Sequence, residues 1–182
     1  MTELEAAVIG ITGFKGSGKT TAGRMLSAAL NLPVIHLADP IREIVTTLDP
    51  FDSKGVRLST YTAAGGEAEA KAKHDQYRHA LRTIGEGVRK ASPTFWLERL
   101  AESAAGHRGV IVPDIRFPLE AQVCDVTIHI TRPGVKSDGD ETEQDMRRYS
   151  GIVVANDGTK ADLARKLAEV ISDIGLEGPR EY

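Results

Sequence analysis

Residues 6–21 read AAVIGITGFKGSGKTT. The first seven, Ala6 to Thr12, are apolar and rich in β-branched side chains, with no polar alternation, so they read as a strand buried on both faces. Strands of that kind belong to parallel sheets. The next eight, Gly13 to Thr20, fit G-x-x-x-x-G-K-[ST] and stand between a strand and a helix, the context that gives the pattern its meaning. Glycines there let the backbone turn its N–H groups onto phosphate oxygens, and a helix N-terminus adds the positive end of its dipole. Lys19 would bridge the outer phosphates of a nucleoside triphosphate and Thr20 would offer a hydroxyl to Mg²⁺. The expected triphosphate contacts are Gly16, Ser17, Gly18, Lys19, Thr20 and Thr21.

Working outward, Ala22, Met25, Leu26, Ala29 and Leu30 fall at helical spacing, and Asn31-Leu32-Pro33 ends the run. Pro33 to Ala38 (PVIHLA) reads as a second strand, and Ile41, Ile44, Val45 and Leu48 as a helix begun by Asp39-Pro40. Between Asp49 and Lys73 the pattern fails, which predicts a loop within one domain. Helical patterns resume over 74–90 and 93–105, with Leu81, Ile84 and Val88 on one face of the first. Gly85 and Gly87 each cost a helix about 1 kcal/mol, which points to a close approach or a break there. Strands follow at 109–113, 124–131 and 152–155, the first two separated by a short helix, and an amphipathic helix over 159–174 closes the chain. Strands alternating with helices predict a three-layer α/β domain around a five-stranded, mainly parallel sheet.

Composition narrows the function. The 182 residues amount to roughly 1.2 domains, and Cys124, the single cysteine, has no partner for an intramolecular disulfide, which suits a reducing compartment. Lys+Arg number 23 against 26 Asp+Glu, a net charge of −3, too acidic for the broad basic footprint of a nucleic-acid binder. No stretch approaches a membrane span, and the start MTELE lacks the form of a signal peptide. The expectation is a cytoplasmic protein with no nucleic-acid polymer and no membrane as partner.

Further charged groups cluster in three places. Asp114 and Arg116 follow the 109–113 strand at the sheet edge where ligands of open α/β sheets bind, two residues apart and so on one side of an extended segment. The acid suits Mg²⁺ and the arginine a phosphate, although a surface ion pair has the same spacing. Arg78, Arg82 and Arg89 lie within about 40° on a helical wheel and flank the buried face, as an anion site or as a solvated basic face. The polar stretch 132–151, RPGVKSDGDETEQDMRRYSG, has the composition of a flap or of an ordinary loop; phosphoryl transfer at a phosphate loop must keep water from being the acceptor, which favours the flap, with Arg132, Arg147 and Arg148 as its cations. Asn156-Asp157-Gly158 is a turn or a loop against a nucleotide base.

Together these segments resemble the phage-type deoxynucleoside monophosphate kinases, relatives of the adenylate kinase group of P-loop enzymes. The resemblance covers nearly the whole chain and rests on GFKGSGKTT at 13–21, LADPIRE at 37–43, the helical region from Arg78 to Arg89 followed by Phe95-Trp96, VIVPDIRFPLE at 110–120, IHITRPG at 128–134 and ANDG at 155–158. It implies a P-loop NTPase fold forming one domain over 1–182, with a helical acceptor-binding region at 38–106 and a short lid at 132–151. It also implies that Lys15, Arg42, Arg116 and Glu120, with the arginines Arg78, Arg82 and Arg89, face the acceptor nucleotide, and that Phe95 or Trp96 lies against its base or sugar. Lys19, Asp114, Arg116 and Arg132 would carry catalysis, Thr20 and Asp114 would hold Mg²⁺, and Asn156 would join the ATP site. Two positions depart from the family pattern. Asp140-Glu141-Thr142-Glu143 stands where many relatives carry His-x-[ST]-Glu, and Arg82 stands where Gln is common.

The implied activity is Mg²⁺-dependent transfer of the γ-phosphoryl of ATP to a deoxynucleoside 5′-monophosphate, in the host cytoplasm for a phage gene product, with a homodimer left open. Two alternatives remain: a P-loop kinase for another small acceptor such as dephospho-coenzyme A or a sugar acid, and a nucleotide-dependent switch. The chain contains no Asn-Lys-x-Asp, and Asp52-Ser-Lys-Gly55 lies in an irregular stretch, so a guanine switch has little support.

Overall fold

A computed structural model describes residues 6–63, 65–137, 139 and 145–175. The chain divides into two compact units, Met1–His36 with Leu100–Tyr182, and Leu37–Arg99.

The first unit is built on a parallel sheet of β1 (Ala7–Thr12), β2 (Gly109–Val112), β3 (Val126–Thr131) and β4 (Ile152–Ala155), in the order β2-β1-β3-β4. Ala7 stands opposite Gly109, Ile9 opposite Val126, and Ile128 opposite Ile152. β1 and β2 are buried on both faces, as their apolar runs require, and β3 buries Thr127 and His129 along with its aliphatic residues. Helix α1 (Lys19–Leu30) packs Ala22, Leu26 and Leu30 against Ile9 and Ile11, in one cluster with Leu163, Leu167 and Val170 of α8 (Lys160–Asp173). Asn31 ends α1 in the left-handed conformation at φ 50°, and Thr159 begins α8 through a capping box with Asp162.

The expected strand at Pro33–Ala38 is reduced to a single bridge, Val34 to Ile111, on the outer side of β2. Ile35 N–H donates to Ile111 O and Ile111 N–H to Pro33 O, both at 2.9 Å. Pro33 has no N–H to extend the ladder and the chain turns at Leu37-Ala38, so among the described residues the sheet has four strands rather than five.

The second unit is helical: α2 (Asp39–Leu48), α3 (Leu58–Thr62), α4 (Gly66–Lys73), α5 (Asp75–Ala91) and the start of α6 (Phe95–Ala104). Val45, Leu58, Ala70 and Tyr77 form its core, with Tyr61, Leu81 and Ile84 packed around them. The predicted loop at 49–73 therefore contains two helices. Among the described residues each is anchored by one buried residue, Leu58 or Ala70, too few to give a period. Asp49 accepts from Ser59 N–H at 2.8 Å and Ser59 Oγ–H at 2.9 Å at the head of α3, and Glu67–Lys71 and Glu69–Lys73 pairs run along α4.

Gly85 is a close approach within an unbroken helix: a Cβ there would sit 3.0 Å from Ile41 Cδ1, and Gly85 O accepts the Trp96 indole N–H at 3.1 Å. A Cβ at Gly87 would meet nothing, and nothing in the structure explains that glycine. Trp96→Phe leaves the buried Gly85 carbonyl without this donor and is expected to lower stability by about 1–3 kcal/mol. Urea unfolding checks this; an unchanged midpoint would show that the indole bond contributes nothing.

Candidate active site

The segment from Gly13 to Thr20 joins β1 to α1 at the C-terminal edge of the sheet. Gly13, Gly16 and Gly18 have φ of 136°, 84° and 109°, in the positive-φ region that side chains disfavour. Such turns gather N–H groups into an anion-binding concavity. Ser17 N–H donates to Phe14 O at 3.0 Å and closes the loop. Lys19, the first residue of α1, folds back so that Nζ donates to Gly13 O at 2.5 Å and Phe14 O at 3.0 Å. The charge is thus already held over the loop. Ser17 is 1% exposed, and its Oγ is a buried polar atom without a hydrogen-bond partner among the described residues. An anionic oxygen seated in the loop would suit it. Thr20 is exposed on the first turn of α1 and Thr21 half-buried behind it.

Asn156, expected near a nucleotide base, follows β4 and donates from Nδ2 to Ser17 O at 2.8 Å. A Cβ on Gly18 would lie 2.5 Å from that nitrogen, so the glycine makes room for the contact. The side chain braces the loop backbone. Asp114 follows β2, beside β1, so it stands at the same sheet edge as Thr20, with Oδ2 3.7 Å from His36 Nδ1. Among the described residues no cluster of three or more His, Cys, Asp or Glu could hold a metal ion. The residues present suit a Mg²⁺ held chiefly by nucleotide phosphates and water, with the Thr20 hydroxyl and the Asp114 carboxylate as protein donors.

Arg116 is exposed, and its backbone is fixed by Glu120. Glu120 is 6% exposed, and its Oε2 accepts from Arg116 N–H at 2.8 Å and Phe117 N–H at 3.1 Å at the start of α7 (Pro118–Ala121). The structure gives this carboxylate a local task that the motif did not reveal: it shapes the turn presenting Arg116. Behind it, burial pushes the Cys124 thiol up to about 12, and its Sγ lies 3.3 Å from Glu120 O.

Lys15 and Arg132 are exposed, the first on the phosphate loop and the second just past β3. Residues 138 and 140–144, which include Asp140-Glu141-Thr142-Glu143 of the expected lid, lie outside the described residues. Past them Arg147 is held by Asp145, with Nε 3.0 Å from Oδ1 and Nη2 2.5 Å from Oδ2. These bonds lower the Asp145 carboxyl to about 2. A 3₁₀ turn, Arg147–Tyr149, leads into β4, with the Arg148 guanidinium 4.8 Å from the Tyr149 ring centre.

One buried polar group here went unnoticed in the sequence. His129, 1% exposed on β3, has Nδ1 2.8 Å from Thr12 Oγ1; Thr12 Oγ1 lies 3.1 Å from Ser150 Oγ, which donates to Met146 O at 3.0 Å. The only signal was a histidine inside an apolar strand. Burial lowers the His129 pKa below 6.5, opposed by the charge of Asp145 and assisted by those of Arg147 and Lys19. The unfolded chain then binds a proton that the folded one refuses. His129 is therefore expected to make stability fall as pH drops from 6.5 towards the folded pKa, with its contribution complete above 6.5. The lowered Asp145 pKa acts in a separate window, from 3.8 down to about 2. Urea midpoints against pH check this: His129→Asn should flatten the upper window and leave the lower one.

In the helical unit, Arg42 is held from Nε by Glu67 at 2.7 Å and from Nη1 by Asp39. Burial alone would raise the Glu67 pKa, but its bonds to Lys71 and Arg42 lower it overall. Arg78 donates to the Lys71 carbonyl; Arg82 is exposed and Arg89 half-buried on α5. Trp96 is 3% exposed and committed to Gly85, whereas Phe95 is only half-buried, with the Arg99 guanidinium 5.6 Å from its ring centre.

Among solved structures, shikimate kinase from Aquifex aeolicus vf5 matches with a TM-score of 0.51 at 16% identity, covering 94% of this chain and 99% of that one. TT1252 from Thermus thermophilus gives 0.48 at 22% identity, with 93% and 98% covered, and dephospho-CoA kinase from Campylobacter jejuni 0.48 at 14%, also with 93% and 98% covered. The first likeness supports the fold alone. No family model matches the chain, and no curated protein matches it. Among the described residues no helix is long and apolar enough to cross a membrane.

Proposed function

We propose that the chain is a kinase that transfers the γ-phosphoryl group of ATP to a deoxynucleoside 5′-monophosphate. The observation that carries phosphoryl transfer is the poise of Lys19, its Nζ held over the glycine loop by two carbonyls at the head of α1. A cation fixed there lies where negative charge develops as the phosphoryl group moves, and it needs no reorganisation. Mg²⁺ bound with ATP would supply charge neutralisation at the phosphates. Gly16, Ser17, Gly18, Thr20 and Thr21 line the triphosphate site, Thr20 and Asp114 would hold the ion, and Asn156 keeps the loop in shape. Arg132 supplies a further cation from the lid segment.

For the acceptor the support is the resemblance at VIVPDIRFPLE and IHITRPG, with six Lys+Arg against two Asp+Glu over 71–90. In this reading Lys15, Arg42, Arg78, Arg82, Arg89 and Arg116 meet the monophosphate, Phe95 meets the base or sugar, and Glu120 orients the Arg116 turn. A steady-state assay with ATP, Mg²⁺ and each deoxynucleoside monophosphate, dephospho-coenzyme A, shikimate or gluconate tests it. Diphosphate formation from a deoxynucleotide alone supports the proposal; phosphorylation of another acid only would move the acceptor, and hydrolysis indifferent to every acceptor would favour a switch. Arg116→Lys keeps the charge but loses the planar fork, so it is expected to lower kcat/KM for the acceptor roughly tenfold or more while sparing the KM for ATP. Normal acceptor kinetics in that variant would return Arg116 to an ordinary surface role.

A further inference from the structure

We propose that His129 is a positioning residue of the phosphate loop, donating Nδ1–H to Thr12 at the head of a one-way chain of hydrogen bonds. The direction follows from counting protons. A carbonyl oxygen only accepts, so the Ser150 hydroxyl proton lies on its 3.0 Å contact with Met146 O. Ser150 Oγ must then accept in its 3.1 Å contact with Thr12, which uses the one hydroxyl proton of Thr12. Thr12 Oγ1 accepts in turn at 2.8 Å from His129 Nδ1, so that nitrogen carries hydrogen and Nε2 of the neutral ring does not.

The chain ties together three segments of the sheet unit: β3, the last residue of β1, and the 3₁₀ turn that leads into β4. Its place matters because Thr12 is the last residue before the loop. The next residue, Gly13, is pressed so closely against Ile130 O that a Cβ would collide with it. Two successive residues of β3, His129 and Ile130, thus brace the two residues where strand becomes loop. The carbonyls of Gly13 and Phe14 hold Lys19 Nζ, so a shift at Thr12 displaces the lysine. The inference rests on the nucleotide-binding part of the function proposed above and is independent of the acceptor.

Nitrogen NMR of the whole protein labelled at its histidines reads the tautomer directly, with the His129 signals assigned by their loss in His129→Asn. The expected result is the Nδ1–H form in the wild-type protein and its loss in Thr12→Val; an Nε2–H ring in the wild-type protein overturns the proposal. ATP titration gives the second readout: His129→Leu, which lacks the donor, is expected to weaken ATP roughly tenfold or more, and His129→Asn, whose amide nitrogen stands where Nδ1 stood, to stay within about threefold of wild type. Folded variants that lose affinity equally, or a folded leucine variant with wild-type affinity, overturn it. If the leucine variant does not fold, the tautomer decides; if ATP does not bind the wild-type chain, the function proposed above fails, and the tautomer still decides the direction of the chain.

Discussion

Lys19→Ala is expected to lower kcat by about a hundredfold or more while the protein stays folded. The size follows from what the structure has already arranged. Nζ is held at 2.5 and 3.0 Å by the carbonyls of Gly13 and Phe14, so in the proposed reaction the charge is already in place and little of its effect is lost to reordering a long side chain. The residue is half-buried on the first turn of α1 and belongs to no apolar cluster, which is why its loss should spare the fold. Lys19→Arg is expected to fail as well, because a planar fork replaces a compact ammonium. The measurement is phosphoryl transfer at saturating ATP beside the circular dichroism of the variant. A folded Lys19→Ala protein retaining most of its activity would sink the kinase mechanism.

Gly13→Ala is expected to damage both stability and nucleotide binding. At φ 136° an L side chain is strained, which costs about 1–3 kcal/mol by itself. The new Cβ would also press on Ile130 O and lie 2.7 Å from Ser17 Oγ. Ile130 pairs with Val154 within the sheet, so its carbonyl has little freedom to yield. The loop must move instead, and ATP affinity should fall at least tenfold, on the order expected when a binding geometry is displaced by about 1 Å. Gly16→Ala is the control. Its φ is 84°, but its Cβ would meet nothing, so it carries the backbone strain without the collision. Thermal unfolding and ATP titration of the two variants separate these contributions; equal behaviour would show that the contact with β3 is unimportant.

The strand, glycine loop and first helix were legible because everything that forms them is local: an apolar run, three glycines and a helical period within 25 residues of one another. Helices α3 and α4 were not, since among the described residues one buried residue each leaves no periodicity, and Asp49 at the head of α3 binds partners that no pattern reveals. The run PVIHLA suggested a strand because its composition is right, but Pro33 and the turn after His36 leave room for one bridge only. Glu120 and Asn156, expected at the ligand sites, also bond to backbone, a structural use of polar side chains that spacing cannot reveal. His129 lay concealed for the opposite reason: a single imidazole among apolar neighbours carries no spacing at all, and only the fold brings it to Thr12.

The strand order also bears on how the molecule assembles. β1 lies between partners that are both remote in sequence, with Ala7 opposite Gly109 and Ile9 opposite Val126. Closing a chain segment of about a hundred residues costs about 4 kcal/mol of loop entropy before the first pair is rewarded, which makes such pairing slow. The helical unit draws its core from residues between Val45 and Ile84, a much shorter reach. A turn that depends on β1 being seated against β3 takes shape only once those distant pairings exist, so the phosphate loop is expected to form late in folding. ATP, binding the assembled sheet and not the open chain, would then hold that last step closed in proportion to its concentration.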